Sequence, residues 1–201
     1  MNIYGKYYNA MTGIMNNLVG TIEINSRKHE EKTGEKLYEH LRYRIKDEES
    51  MIEKLERNGL EPTTYHALRS LTDSIGIRVI CLFIDDVYKN VALIKSIPGC
   101  TVVKEKDYIK NAKPNGYRSY HMILDMETHF SDIDGNTPGH FFVEVQLRTI
   151  AMDTWAALEH ELKYKRDIKN QELIISELHR CANELASCDV SMQTLRRIII
   201  G

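Results

Sequence analysis

Residues 140–148 restrict the fold of this chain more than any other stretch. Polar and apolar positions alternate there almost without a break, with Phe141, Val143, Val145 and Leu147 on one side and Phe142, Glu144, Gln146 and Arg148 on the other. Successive side chains of a strand point to opposite faces, so the pattern predicts a strand with one apolar face and one polar face. Residues 149–165 then read as a helix, with Ala151, Trp155, Leu158 and Leu162 as its buried stripe. Residues 75–83 are apolar nearly throughout and predict a buried strand broken only by Arg78. Residues 101–109 and 117–126 predict two more; in the second, Tyr120, Met122, Leu124 and Met126 share one face and Ser119, His121 and Ile123 the other.

Helical spacing marks the rest. Tyr4, Tyr8, Met11, Met15, Leu18 and Ile22 recur at three and four over residues 4–24, while polar residues 25–36 with Gly34 predict a loop or frayed end. Shorter helices are expected at 49–57, stopped by Asn58-Gly59, at 65–71, and at 85–96, closed by Pro98-Gly99. Turn residues at 132–135 separate the last two strands. With no repeats or linkers, the reading is one α+β domain over 1–201.

Ile174, Leu178, Cys181, Leu185, Cys188, Met192, Leu195 and Ile199 repeat at four-three spacing within a helical segment 171–200. A seam that narrow suits helix-to-helix packing and predicts a homo-oligomer through this helix, although packing on the helix's own domain explains it equally well. No apolar run approaches bilayer length, and the N-terminus lacks a secretory pattern, so the expected setting is cytoplasmic with no membrane partner. The four cysteines form no CxxC pair, which argues against a zinc site and a disulfide framework. Net charge is −2, so an anionic ligand must be held by local cationic clusters rather than by the field of the whole molecule.

Such a cluster exists. Residues 106–121 gather Lys106, Lys110, Lys113 and Arg118 around the Asn115-Gly116 turn and Tyr117, a combination suited to phosphate beside an aromatic base. Glu144 sits mid-strand on the polar face, flanked there by Gln146 and Arg148, and Asp73 lies just before the strand that carries Arg78. Two carboxylates at the ends of neighbouring strands can share Mg²⁺, which prefers oxygen ligands and substrate phosphates. The plainer alternative is that Asp73 caps a turn and Glu144 pairs with Arg148. Lys46, Ser50, Lys54 and Arg57 are spaced to share a helical face near Arg44, which is either a phosphate site or a solvated surface. Glu159 with Lys163 and His160 with Tyr164 read as surface pairs. No GxxxxGK[ST], GxSxG or GxGxxG loop occurs, so a nucleotide would be bound without the commonest motifs.

Four blocks in one order closely resemble the synthetase domain of RelA/SpoT-type enzymes, specifically the small alarmone synthetases, with a core of about 43–165. They are Arg44-x-Lys46 with Ser50 and Lys54; Asp73-x-x-Gly76-x-Arg78; Lys106-Asp107-Tyr108-Ile109 leading to Asn115-Gly116-Tyr117-Arg118-Ser119 and His121; and Glu144-x-Gln146-x-Arg148-Thr149 with Met152, Trp155, Glu159, His160 and Tyr164. The resemblance implies a mixed sheet of about five strands flanked by helices, with helical extensions at both ends. It implies transfer of pyrophosphate from ATP to the ribose 3′-hydroxyl of GDP or GTP. Arg44 and Arg78 would sandwich the adenine, and Lys46, Ser50, Lys54 and Arg57 would face the ATP phosphates. Asp73 and Glu144 would hold Mg²⁺, with Glu144 also the base. Lys106, Lys113, Asn115, Tyr117, Gln146 and Arg148 would bind GDP or GTP, Tyr117 stacking on guanine, and His121 would sit near the transferring phosphates.

The resemblance favours a tetramer. Tyr43 and Ala112 depart from common family residues, glycine and proline, and residues 40–42 do not resemble the allosteric alarmone site of some relatives. With no His-Asp dipeptide and no room for the hydrolase domain, no alarmone breakdown is expected. The rival reading is a toxin-type relative that modifies the tRNA 3′ end or adenosine nucleotides, for which Arg27 and Lys28 would help hold tRNA. A third is a non-catalytic nucleotide sensor.

Overall fold

The computed structural model describes residues 2–164 and 170–200, with backbone only at 163, 164 and 200. Strands β1 (His40–Ile45), β2 (Ile75–Cys81), β3 (Cys100–Asp107), β4 (Tyr120–Thr128) and β5 (Gly139–Thr149) form one five-stranded sheet in the order β1-β2-β5-β4-β3. Only β2 and β5 run parallel; the other neighbours are antiparallel, so the sheet is mixed. Helices α1 (Tyr8–Thr33), α2 (Glu48–Arg57), α3 (Ile84–Lys95), α4 (Ile150–Tyr164) and α5 (Gln171–Ile200) flank it, and a five-residue π-helical turn lies at His66–Ser70.

The alternation of β5 fixes the layering. Val143, Val145 and Leu147 are fully buried, beside Ile75, Ile77 and Val79 of β2 and Met122 and Leu124 of β4. Met11 and Leu18 of α1, Met51 and Leu55 of α2 and Val87 of α3 close over that face. Each such side chain contributes roughly 1.5–3 kcal/mol by leaving water. The opposite face is left to polar residues.

Several sequence expectations need correction. Helix α1 does not fray after residue 24; it runs to Thr33 and ends at Gly34, whose φ of 73° supplies the left-handed cap. Arg27, Lys28, Glu30, Glu31 and Lys32 of this extension are exposed to solvent. Strand β1 was not anticipated, because it is an edge strand with only Leu41 and Ile45 half-buried and shows little alternation in polarity. Lys46 is not helical: Asp47 caps α2 by accepting from the Ser50 backbone N–H at 2.9 Å, so only Ser50, Lys54 and Arg57 share that face. Strand β2 ends at Cys81 and β4 begins at Tyr120, each shorter than expected.

Helix α4 buries Met152 and Trp155, whereas Leu158 and Leu162 are 56% and 41% exposed. The heptad seam of α5 also divides. Ile174, Leu178, Cys181 and Leu185 are half-buried, but Cys188, Met192, Leu195 and Ile199 face solvent. The helix docks on its own domain mainly through Ala182, Asp189 and Gln193. Asp189 accepts from Thr149 Oγ1 at 2.6 Å, and Gln193 Nε2 donates to Asp85 at 2.8 Å. The pairs of Glu159 with Lys163 and His160 with Tyr164 involve side chains outside those described. Among the described residues no helix is long and apolar enough to cross a membrane.

Candidate active site

Strand register assembles the polar face into one functional surface. Arg42 and Arg44 of β1 pair with Arg78 and Gly76 of β2; Gly76 and Arg78 pair with Glu144 and Gln146 of β5. Glu144 and Gln146 pair in turn with Ile123 and His121 of β4, which face Lys104 and Lys106 of β3. Cross-strand partners share a face, so these side chains line up across all five strands.

Two cavities lie on this surface. One, of about 280 Å³, is lined by Arg42, Arg44, Lys46, Asp73, Arg78, Glu144 and Gln146, among others. The other, of about 220 Å³, is lined by Thr72, Lys104, Lys106, Tyr108, His121 and Glu144, among others. Glu144 belongs to both. Gly76 helps keep the first cavity open, since a Cβ there would meet nothing closer than the Arg44 carbonyl at 3.9 Å.

Asp73 Oδ2 bonds Lys46 Nζ at 2.7 Å and Lys54 Nζ at 2.6 Å. Burial pushes this carboxyl up, but hydrogen bonds and charge from the two lysines outweigh it and hold Asp73 below its ordinary range. Its Oδ1 is buried with no partner among the described residues. Glu144 is opposed by burial too, and the hydrogen bond and charge of His121 bring it below the ordinary value. Glu144 Oε2 accepts from Gln146 Nε2 at 3.1 Å, and Oε1 lies 3.8 Å from His121 Nδ1. Two ionised carboxylates line one cavity, and the orphaned Asp73 oxygen needs a partner. That donor set fits a hard divalent cation such as Mg²⁺. Neither plainer alternative holds, since Asp73 pairs with lysines and Arg148 turns to other groups.

Arg148 is 5% exposed. It donates to Asp153 Oδ1 at 3.1 Å, to Gln146 Oε1 at 2.9 Å and to the Tyr117 hydroxyl at 2.7 Å. That hydroxyl also lies 2.7 Å from His121 Nε2. The Tyr117 ring makes edge contacts with Tyr108 and Trp155, and Lys113 Nζ sits 4.7 Å from its centroid. Tyr117 is therefore held by neighbours rather than lying open. Asn115 shapes its loop, accepting from the Tyr117 N–H and donating to Glu159. Gly116, at φ 90°, presses so closely on α5 that a Cβ would lie 2.5 Å from that of Ala182.

The expected residues thus divide. Arg44, Lys46, Asp73, Arg78 and Glu144 meet in the first cavity, with Lys54 joined through Asp73, but Ser50 and Arg57 do not line it. Gln146 sits with this group rather than with the acceptor set. Lys106 and His121 line the second cavity, and Lys113 reaches its aromatic edge. The four-cation cluster does not form: Arg118 turns to the Ala182 carbonyl and Asn183, and Lys110 lies over Tyr88. Sequence reasoning missed Arg42 and Asp153. Arg42 carried a readable signal two residues before Arg44; Asp153 carried none, since an acidic residue in a first helical turn is ordinary.

A family described as "Region found in RelA / SpoT proteins" matches residues 43–169. The chain belongs to the RelA/SpoT family. It is similar to GTP pyrophosphokinase YwaC of Bacillus subtilis (strain 168), 38% identical over 164 residues that cover 82% of this chain and 76% of that protein. Its fold is similar to the crystal structure of small alarmone synthetase 2 from Bacillus subtilis, with TM-score 0.78 and 34% identity over 93% of this chain and 95% of that one. Small alarmone synthetase 1 from Bacillus subtilis, solved bound to its product pppGpp, is similar at TM-score 0.77 and 28% identity, covering 97% of this chain and 95% of that one. The RelA/SpoT resemblance carried by the four sequence blocks is borne out, as is the mixed five-stranded sheet with helical segments at both ends. Within the family, the similarity runs to the small synthetases along nearly their whole length.

Proposed function

We propose that this RelA/SpoT-family GTP pyrophosphokinase transfers the β,γ-pyrophosphate of ATP to the 3′-hydroxyl of GDP or GTP, releasing AMP and forming ppGpp or pppGpp. The carrying observation is that Glu144 stands in the shared wall of two cavities, one guanidinium-rich and one with lysines beside aromatic rings. A base at that wall can take the acceptor's proton while the donor's phosphates lie on its other side.

In this reading Arg44 and Arg78 stack on adenine, and Lys46 and Lys54 face the ATP phosphates. Tyr117 turns its ring to guanine, and Lys106 and Lys113 meet the acceptor phosphates. Glu144 accepts the 3′-hydroxyl proton, the new bond forms from that oxygen to the β-phosphorus, and AMP leaves with the electrons of the broken bond. Asp73 and Glu144 would hold Mg²⁺, which supplies charge neutralisation at the phosphates. Positioning and electrostatics carry most of the rate in such transfers. Both substrates are cytoplasmic nucleotides, so cytoplasm is the setting this reading requires.

We read the exposed half of the α5 seam as the contact with a second copy of this chain, within a tetramer. Cys188, Met192, Leu195 and Ile199 continue the heptad spacing while left to solvent, which is the arrangement a helix-to-helix interface needs.

The test incubates the protein with ATP labelled on its terminal phosphate and, separately, GDP, GTP, ATP or tRNA. Label on GDP or GTP, with AMP released in equal amount, is the expected result. Label on tRNA or ATP alone overturns the acceptor assignment in favour of a toxin-type transfer, and no transfer overturns the catalytic reading.

A further inference from the structure

Asp153 lies in the first turn of α4, lines neither cavity and has no role in the transfer described above, yet three guanidiniums converge on it. Arg148 Nη1 donates to its Oδ1 at 3.1 Å and Arg78 Nη1 donates to the same oxygen at 3.3 Å. Arg42 Nη1 lies 3.8 Å from Oδ2. These arginines come from β5, β2 and β1, and Asp153 itself is only 9% exposed. Arg78 and Arg42 line the first cavity, whereas Arg148 donates to the Tyr117 hydroxyl on the other side as well as to Gln146 of that cavity. One carboxylate therefore sits between the two sets of binding groups.

The electrostatics require a group at this point. Burial and the neighbouring Arg148 charge both pull the Arg78 guanidinium below its ordinary pKa, and Asp153 opposes them. Without the carboxylate, like charges face each other in a site partly closed to water, which drives Arg78 toward solvent and leaves Arg148 to Ser119, Gln146 and Tyr117. Asp153 Oδ1 accepts one bond from Arg148 and one from Arg78, so a single oxygen ties guanidiniums of two strands to one point, which a helix-terminus role alone does not need.

We propose that Asp153 is a positioning residue that aims Arg78 into the donor cavity and Arg148 at Tyr117, so that one side chain orders both nucleotide sites. It acts through these arginines and touches no reacting atom. The inference rests on the donor and acceptor assignment above. A wild-type enzyme that moves no pyrophosphate from ATP to GDP or GTP would defeat that assignment; the variants below test Asp153 in an enzyme that does.

The experiment measures steady-state kinetics of the full chain as wild type, Asp153→Asn and Asp153→Glu, with ATP varied at saturating GDP and GDP varied at saturating ATP. Asp153→Asn keeps the size and loses the charge. It should raise both KM values about tenfold, the scale of one charge-assisted hydrogen bond at each site. The value of kcat should move much less, and Asp153→Glu should recover part of both. A change in only one KM, or in neither, overturns the proposal, as does a loss that follows the melting temperature while both KM values stay put. If Asp153→Asn does not fold, Arg148→Lys reads the same link. Arg148 also reaches the donor cavity through Gln146, so Gln146→Ala is measured beside it. A rise in the KM for ATP larger than that of Gln146→Ala supports the connection through Asp153, and no rise, or one that Gln146→Ala reproduces, overturns it.

Discussion

Glu144 is half-buried in a polar strand face, ionised below its ordinary range and shared by both cavities. Exchanging it for glutamine leaves the Gln146 contact possible and the strand intact, but removes the proton acceptor. Glu144→Gln should lower turnover at least a hundredfold, the low end of what a positioned base contributes, with an unchanged melting temperature. Near wild-type turnover would dismiss Glu144 as the base. Tyr117 allows a second residue-level test, because it is held by His121, Arg148 and Lys113 on the acceptor side. Tyr117→Ala should raise the KM for GDP by about tenfold or more, from a stacking loss of roughly 1–3 kcal/mol, and move the KM for ATP far less. Equal losses would mean that donor and acceptor pockets are wrongly assigned.

At the scale of elements, β2 contributes an absence. Gly76 leaves room beside Glu144, and its backbone has no need of glycine's left-handed freedom. Gly76→Val should therefore keep the strand, which β-branched residues favour, while filling the mouth of the cavity. Calorimetric titration with a non-hydrolysable ATP analogue should show binding lost at an undiminished melting temperature; retained binding would show that the nucleotide lies elsewhere.

The turn between β4 and β5 offers an independent test. Asp132, 2% exposed, accepts from the backbone N–H groups of Asp134, Asn136 and His140 and pairs with Arg69 at 2.7 Å. Burial alone would raise its carboxyl, but hydrogen bonds from Asn136 and His140 and the Arg69 charge lower it to about 2. A carboxyl depressed from 3.8 contributes stability above its unfolded pKa. That contribution, about 2 kcal/mol, is lost as pH falls from about 4 to about 2. Asp132→Asn should start less stable and lose less over that window in a thermal melt series; parallel curves would rule out Asp132 as the source.

For the whole molecule, α5 is the element on which assembly turns. Helix α5 is held to α3 by Arg196 on Asp86 at 2.7 Å and by Gln193 on Asp85, while its last apolar residues face outward. Paired Met192→Glu and Leu195→Glu changes fall on that outer stripe, 49% and 50% exposed, and should separate an oligomer into monomers with the sheet still folded. Light scattering after size exclusion reads the outcome, and a wild-type monomer at micromolar concentration would exclude the interface.

Alternation over 140–148 determined which side of β5 is core. The ordered blocks determined the family, and the placing of Asp73 before one strand and Glu144 on its neighbour anticipated their meeting. These signals are local, because side-chain direction along a strand follows from the backbone period. Edge strand β1 escaped because it lies exposed and carries little alternation in polarity. Where Arg118 and Arg148 point, how Tyr117 is held and what Asp153 gathers were decided by register between strands far apart in sequence and by α5 closing on the Gly116 loop. A guanidinium's partner is set by which carboxylate the fold brings within about 3 Å of it, and no spacing along the chain encodes that distance.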